Sequence, residues 1–206
     1  MITPEILHHV PEIALAAALA WGSGLRLYLV LFIAGLSGYA GWIVLPEQLT
    51  LLTHPVVLGA SALMALLEFG ADKLPWLDSL WDAVHTFIRI PAGAGLAAAV
   101  FGASDAHIGT AAAVLGGGIA AGAHFTKAGG RALINTSPEP LSNWLASLTE
   151  DLLVPSGLWL ALAHPALFLV LLAIFALAVV VLLRAILRGL ALVAGLVLAR
   201  MRPRAR

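Results

Sequence analysis

Four stretches of this chain, residues 27–46, 48–67, 106–126 and 152–183, contain no Asp, Glu, Lys or Arg. A helix of roughly 20 residues crosses a hydrocarbon core of about 30 Å, and each stretch reaches that length. Within them, apolar and polar residues do not alternate as they do in the strands of a membrane barrel. Backbone groups in lipid must find partners inside their own segment. The pattern predicts an all-α, polytopic transmembrane helical bundle of about five or six membrane-inserted helices, some short, broken or re-entrant.

The punctuation divides the chain further. The first apolar region, Ile13 to Pro46, is interrupted by Trp21-Gly22-Ser23-Gly24 and then Arg26. Glycine and serine lower helix propensity there, so a kinked helix or a broken pair is expected. His54-Pro55 opens a helix over 54–72, since proline suits the first helical turn. Pro75 opens a helix that Ile90-Pro91 is expected to stop. Residues 92–103 read as short or re-entrant, and Ser104-Asp105 as a loop. A helix over 107–128 carries Gly118 and Gly122, a spacing that lets helices approach closely. Ser137 is a good N-cap, with Pro138 and Glu139 in the first turn of a helix that Pro155 is expected to end. A long apolar helix over 160–186 and a tail helix over 187–200 complete the chain. Two short matches hint at an internal repeat with halves 1–104 and 105–200. Ser23-Gly-Leu-Arg26 resembles Ala128-Gly-Gly-Arg131, and His54-Pro55 resembles His164-Pro165. Transporter folds are often built from two such halves, with broken helices meeting at mid-membrane. The division expected is one membrane domain, 1–186, and a basic tail, 187–206.

Charge changes this picture at one place. Only 11% of the residues are charged, at a mean hydropathy of +1.00, yet Glu68, Asp72, Lys73, Asp78, Asp82, His85 and Arg89 fall within 22 residues. Ionisable groups within membrane segments are costly, which makes them a functional-site hypothesis by default. Asp78, Asp82, His85 and Arg89 stand at i, i+4, i+7 and i+11, one helical face. Glu68 and Asp72 are one turn apart on the preceding helix, and a hairpin at Pro75 would bring the two acidic faces together. Three readings follow. The helix lies flat at the membrane surface with its charges in water; or the charges form a buried structural network; or they form a site for a cation or proton. Carboxylates with an imidazole suit divalent ions and protons. Asp78, Asp82 and His85 are therefore candidate metal ligands, and a divalent cation is the candidate cofactor. A second, basic set, Arg26, Lys127 and Arg131, lies beside glycine-rich breaks. Such groups can hold an anion, but pairing with Glu139, Glu150 or Asp151 is the preferred reading.

The rest of the composition narrows the classes. There are no cysteines, which excludes disulfide and thiolate chemistry. No GxSxG, HExxH or Walker motif is present, so enzyme templates fit poorly. The N-terminus lacks Lys and Arg, so the first apolar segment reads as retained and not as a secretory leader. Residues 184–206 hold six Arg and no acid. That bias predicts a cytoplasmic C-terminus and contact with anionic lipid headgroups. Nucleic-acid binding has no support elsewhere in the chain. Arg outnumbers Lys nine to two, the balance of a GC-rich bacterial genome.

Two blocks carry a family resemblance. They are Glu68-Phe-Gly-Ala-Asp-Lys-Leu-Pro-Trp-Leu-Asp-Ser-Leu-Trp-Asp-Ala-Val-His-Thr-Phe-Ile-Arg-Ile-Pro-Ala-Gly-Ala and Lys127-Ala-Gly-Gly-Arg-Ala-Leu-Ile-Asn-Thr-Ser-Pro-Glu-Pro-Leu-Ser-Asn. They resemble the signature blocks of a bacterial integral-membrane family, domain of unknown function 4126, over about residues 12–185. The resemblance implies a multi-spanning inner-membrane protein and supplies no catalytic residues. The function expected is a small transporter or channel for a cation or proton. Glu68, Asp72, Asp78, Asp82 and His85 would form its ion-facing surface, with Arg26, Arg89, Lys127 and Arg131 balancing charge. A membrane-embedded enzyme acting on a lipid or phosphorylated substrate, and a non-catalytic scaffold, are the alternatives. The lipid bilayer is the expected partner, and the small-residue helices admit a homodimer.

Overall fold

A computed structural model describes residues 4–102, 106–136 and 140–201. These form six α-helices and one 3-10 helix, with no strand among the described residues. The helices are α1 (Pro4–Tyr39), α2 (Pro55–Ala71), α3 (Pro75–Phe101), α4 (Ala106–Ile134), α5 (Pro140–Ala163) and α6 (Pro165–Met201), with the 3-10 helix at Glu47–Thr53. The all-α polytopic bundle is therefore observed. By length and composition five segments can cross a membrane: His9–Tyr39, Trp76–Phe101, His107–Ile134, Leu141–Ala163 and Pro165–Ala185. The 3-10 helix and α2 form a sixth, bent by 70°.

The first of these is not a straight span. Arg26 has φ −145° and ψ 74°, outside helical geometry. A Cβ built on Gly22 would stand 2.6 Å from Val30 Cγ2. Eight residues of continuous helix would separate those positions by about 12 Å, so the chain turns back on itself at Arg26. Its two arms, 4–25 and 27–39, form a hairpin whose ends approach the same end of α3. His9 and Ile13 lie with Phe101 around one cavity, and Gln48, shortly after the second arm, reaches Gly102. The break expected between Trp21 and Gly24 falls two residues later, on the arginine. Non-helical backbone at membrane depth is tolerated where protein buries it, and Arg26 is fully buried.

Three helix ends differ from expectation. α3 continues through Pro91 to Phe101, so 92–103 is not a separate short segment up to that residue. α5 continues through Pro155, and α4 runs through Gly129 and Gly130 to Ile134. Near Pro91 and Pro155 packing outweighs the local breaking tendency, whereas Gly129 and Gly130 face open space. Gly93 fits against Ala120 and Ser23, Gly116 against Ala97 and Ala20, and Gly157 against the Trp21 ring. The pair singled out for close packing, Gly118 and Gly122, faces open space instead. The cap at Ser137, Pro138 and Glu139, and the loop at Ser104-Asp105, lie outside the described residues. His54-Pro55 and His164-Pro165 both open helices, as their sequence implies. Ala128–Arg131 is continuous helix, whereas its sequence match Ser23–Arg26 ends in the break.

The chain divides into two compact units, Met1–Leu169 and Val170–Arg206. The described part of the second is the continuation of α6, with exposed Leu182, Leu183 and Leu187. The core of the first unit is built on the arm 4–25 of α1, where Ala14 through Ala20 are nearly all buried. Alanine and glycine on α3 and α4, Gly93 and Gly116 among them, close tightly against its Ala20 end, which is how helices associate when lipid provides no hydrophobic drive between them.

Candidate functional site

The charged residues of α3 face inward. On α3, Asp78 and Arg89 are 0% exposed and Asp82 4%, while Leu80 and Val84 on the opposite side are 56% and 52% exposed. A helix in water would reverse this arrangement. A helix lying in the interface with its charges in water would reverse it too, so that reading is corrected: the charged face is the bundle's interior. The apolar face is the one suited to lipid.

Two ion clusters result. In the first, Arg89 from the middle of α3 donates through Nη2 to Glu68 Oε1 and through Nη1 to Asp82 Oδ1 at 2.7 Å. The hairpin at Pro75 does bring the two acidic faces together, with an arginine between them. Arg89 Nη1 also lies 3.3 Å from His124 Nδ1, and His124 Nε2 is 2.7 Å from Thr86 Oγ1. Thr86 donates to the Asp82 carbonyl, so the imidazole donates from Nε2 and accepts at Nδ1.

The second cluster gathers at the hairpin tip of α1. Arg26 Nη1 meets Asp72 Oδ2 at 2.6 Å, Nε faces Glu150 at 3.4 Å, and Nη2 reaches Asp151 at 3.0 Å and Ser147 Oγ at 2.8 Å. Arg131, in the last turn of α4, pairs with Asp72 and Glu150 at 3.3 Å each and donates to Asn143. Asn143 Nδ2 donates to Asn135, whose own amide donates to Asp78 Oδ2 at 3.1 Å. Lys127 joins the clusters. Its Nζ lies 3.3 Å from Asp72, 3.1 Å from Glu150 and 3.9 Å from Asp82. Asp72 sits just past the end of α2. Burial pushes its carboxyl up, but Lys127, Arg26 and Arg131 together hold it below the ordinary carboxylate value.

The preferred pairing of Arg26, Lys127 and Arg131 with Glu150 and Asp151 is thus present, with Asp72 as a further shared partner. Glu139 lies outside the described residues. His85 stands apart from the ion pairs. Its Nδ1 donates to the Trp81 carbonyl at 2.8 Å, its Nε2 accepts from Tyr28, and the Trp81 ring stacks on it at 4.3 Å. Asp78, Asp82 and His85 therefore point to three different partners. No three His, Asp or Glu side chains among the described residues are spaced to hold a metal ion directly. A divalent cofactor does not fit that set. Lys73 is turned outward over the Phe69 ring.

Sequence reasoning did not single out Asn143, Ser147, Thr86 or Tyr28. Asn143, Ser147, Glu150 and Asp151 repeat at i, i+4 and i+7 to i+8 on α5, the same helical-face signal as on α3. Half of its members are uncharged, which hid it. His124, Lys127 and Arg131 form a third such face, on α4.

Six carboxylates (Glu68, Asp72, Asp78, Asp82, Glu150, Asp151) thus share the interior with four fixed cations (Arg26, Arg89, Lys127, Arg131). Several carboxylate oxygens are buried without a hydrogen-bond partner: Glu68 Oε2, Asp72 Oδ1, Asp78 Oδ1, Asp82 Oδ2 and Asp151 Oδ2. Unpaired buried acceptors are costly, and each calls for an explanation.

Fold and site together define a class: a polytopic all-α bundle of the membrane-spanning type, with an interior ion-pair network and a broken helix at its centre. Residues 13–185 match the family described as Domain of unknown function (DUF4126), and the chain belongs to that family. No curated protein and no solved structure matches the chain.

Proposed function

We propose that this protein is a small transporter or channel for a small ion, a proton or a cation, and that the ion moves through the interior network. One observation carries the reading. Ten charged side chains on five helices form a contiguous track from the α2–α3 turn to the middle of α3, with more acids than bases. As stabilising devices such groups are poor: desolvation offsets most of the attraction within a buried pair, and apolar replacements often serve as well. Retaining ten of them inside apolar helices favours a task that needs charge. The acidic excess favours a positive ion over an anion. The broken tip at Arg26 adds non-helical backbone at depth, the arrangement that ion-coupled transporters use at their binding sites.

We place the protein in a bacterial inner membrane, with its C-terminus in the cytoplasm and the tail arginines on anionic headgroups. The six Arg in residues 184–206 support that orientation.

The test is ion flux in liposomes reconstituted with the full chain. A pH-sensitive dye inside the vesicles should report collapse of an imposed proton gradient faster than in protein-free vesicles. Asp82→Asn should lower the rate at least tenfold while helicity and elution volume are unchanged. His85→Ala, outside the ion pairs, should leave it within about twofold. Wild-type flux equal to that of protein-free vesicles, with sodium or potassium present or absent, contradicts the reading and leaves the scaffold and lipid-enzyme alternatives.

A further inference from the structure

Away from the charged residues, the first arm of α1 and the helices α3 and α4 draw apart around a cavity of about 370 Å³. Its floor includes Ala16, Ala17 and Ala97, which are buried, and its rim includes Ile13, Ile108 and Leu115, which are exposed. His9, at the mouth, is the one polar side chain among the described lining residues, and it pairs with Glu12 at 2.8 Å. At the edge of the cavity the same helices touch. A Cβ on Gly116 would stand 2.4 Å from the Ala97 Cβ and 3.5 Å from the Ala20 Cβ. Protein interiors hold few voids larger than a water molecule, so a gap of this size beside such close packing calls for an occupant.

The lining selects it by chemistry. A buried water needs about 2–4 polar partners, and beyond His9 these side chains offer none. A polar or charged ligand would lose its hydration with nothing in return. The occupant is therefore hydrocarbon. Shape narrows it further. On α4 the lining runs from Ile108 to Ile119, eleven residues, or about 16 Å of helix. A volume of about 370 Å³ over that length leaves a slot roughly 5 Å wide. Touching carbon atoms stand about 4 Å apart, so a single hydrocarbon chain fits. A helix from a second copy, about 10–12 Å across with its side chains, does not.

Depth gives the source. His9, Phe101 and Ile108 lie at or next to the ends of the spans His9–Tyr39, Trp76–Phe101 and His107–Ile134. The mouth therefore stands at headgroup level, and the slot descends from it between the helices. Its length of about 16 Å equals one leaflet of a hydrocarbon core of about 30 Å. We propose that the cavity is a lipid site, filled by one acyl chain of a phospholipid from the leaflet on the Phe101 side. The headgroup stays outside, beside His9 and Glu12, and the chain completes the packing between α1, α3 and α4.

Photolabelling of the full chain in lipid nanodiscs tests this, with a phosphatidylethanolamine that carries a diazirine in its acyl chain as the probe. Adducts are located by mass spectrometry of peptides. Lipid that only surrounds the protein labels residues in proportion to their exposure. Ala16, Ala17 and Ala97 are 5%, 7% and 2% exposed, whereas Val114, on α4 outside the cavity, is 72% exposed. Surrounding lipid alone would thus give the floor about tenfold fewer adducts than Val114. An acyl chain in the cavity should give the floor at least as many. Ala112→Phe, which fills the slot from its α4 wall, should cut floor adducts at least fivefold and leave those at Val114 unchanged. Labelling of Val114 with a bare floor in wild type overturns the proposal. So does a folded Ala112→Phe that labels the floor as wild type does. A bare floor in a chain that elutes as a dimer assigns the cavity to a second copy and equally overturns the proposal. If Ala112→Phe does not fold, the wild-type ratio of floor to Val114 adducts decides.

Discussion

The same helices are held together in two different ways along their length. Toward Phe101, the first arm of α1, the second half of α3 and the first half of α4 meet through Ala16, Ala17, Ala20, Gly93, Ala97 and Gly116. Toward Pro75 and Ile134 those helices meet through Arg26, Asp82, Arg89, His124, Lys127 and Arg131. One half works by shape, with backbones so close that a Cβ has no room. The other works by charge, where partner identity matters more than volume. Even the cavity of about 370 Å³ in the first half is lined by apolar side chains, with His9 at its edge. The hairpin tip at Arg26 is where one regime gives way to the other. The contrast sets a question that substitutions answer: whether the charged half is needed for assembly or, as proposed, for handling an ion.

Several substitutions would break or sharpen that contrast. The largest effect belongs to Arg89→Met, which leaves Glu68 and Asp82 buried without their cation. Removing one partner of a buried pair costs about 3–5 kcal/mol, read as loss of unfolding free energy in mild denaturant. Next is Gly24→Ala in the shape-held half. The added Cβ meets the Ala120 carbonyl, a backbone atom that cannot yield cheaply. Overpacking of this kind costs about 1–3 kcal/mol. A smaller and graded effect is expected from pH. The folded pKa of Asp72 lies below its unfolded value. Its contribution to stability is therefore present above the ordinary carboxylate range and lost as pH falls through the folded value. Unfolding midpoints should drop on that acid limb for wild type and less steeply for Asp72→Asn. The smallest effect is at Gly118 and Gly122, which face open space. Alanine there should stabilise the helix by at most about 1 kcal/mol each. A clear loss in a helix-packing assay would mean that this face is covered by another copy of the chain.

The helical class and the charged faces were legible in the sequence because both are periodic. Asp78, Asp82, His85 and Arg89 declare a face by spacing alone, and Pro75 correctly marks the turn that sets Glu68 beside it. What spacing cannot give is the identity of a partner on another helix. Asp72 was expected on an acidic surface with Asp78. It is instead shared by Arg26, Lys127 and Arg131, residues about 46 to 59 positions away in sequence. His85 lies on the right face but is held by Tyr28 and Trp81, because a stacked indole and a hydroxyl take up both ring nitrogens. Pro91 and Pro155 misled for the opposite reason. Their local helix-breaking tendency is real, yet neighbouring helices hold the segments straight enough to continue. The reversal at Arg26 was legible only as a weak place, since no residue near it forces the chain back on itself.

The proposed function requires that the charged half handle ions and that its charges not be indispensable for holding the bundle. Replacing its first cluster with apolar residues of similar size tests this directly, with Glu68→Leu, Asp82→Leu and Arg89→Met combined in one chain. Removing all three charges together leaves none of them orphaned, so the account predicts unchanged or higher stability. In liposomes it predicts dissipation of a proton gradient no faster than in protein-free vesicles. A triple variant that folds and dissipates the gradient at the wild-type rate would contradict the account.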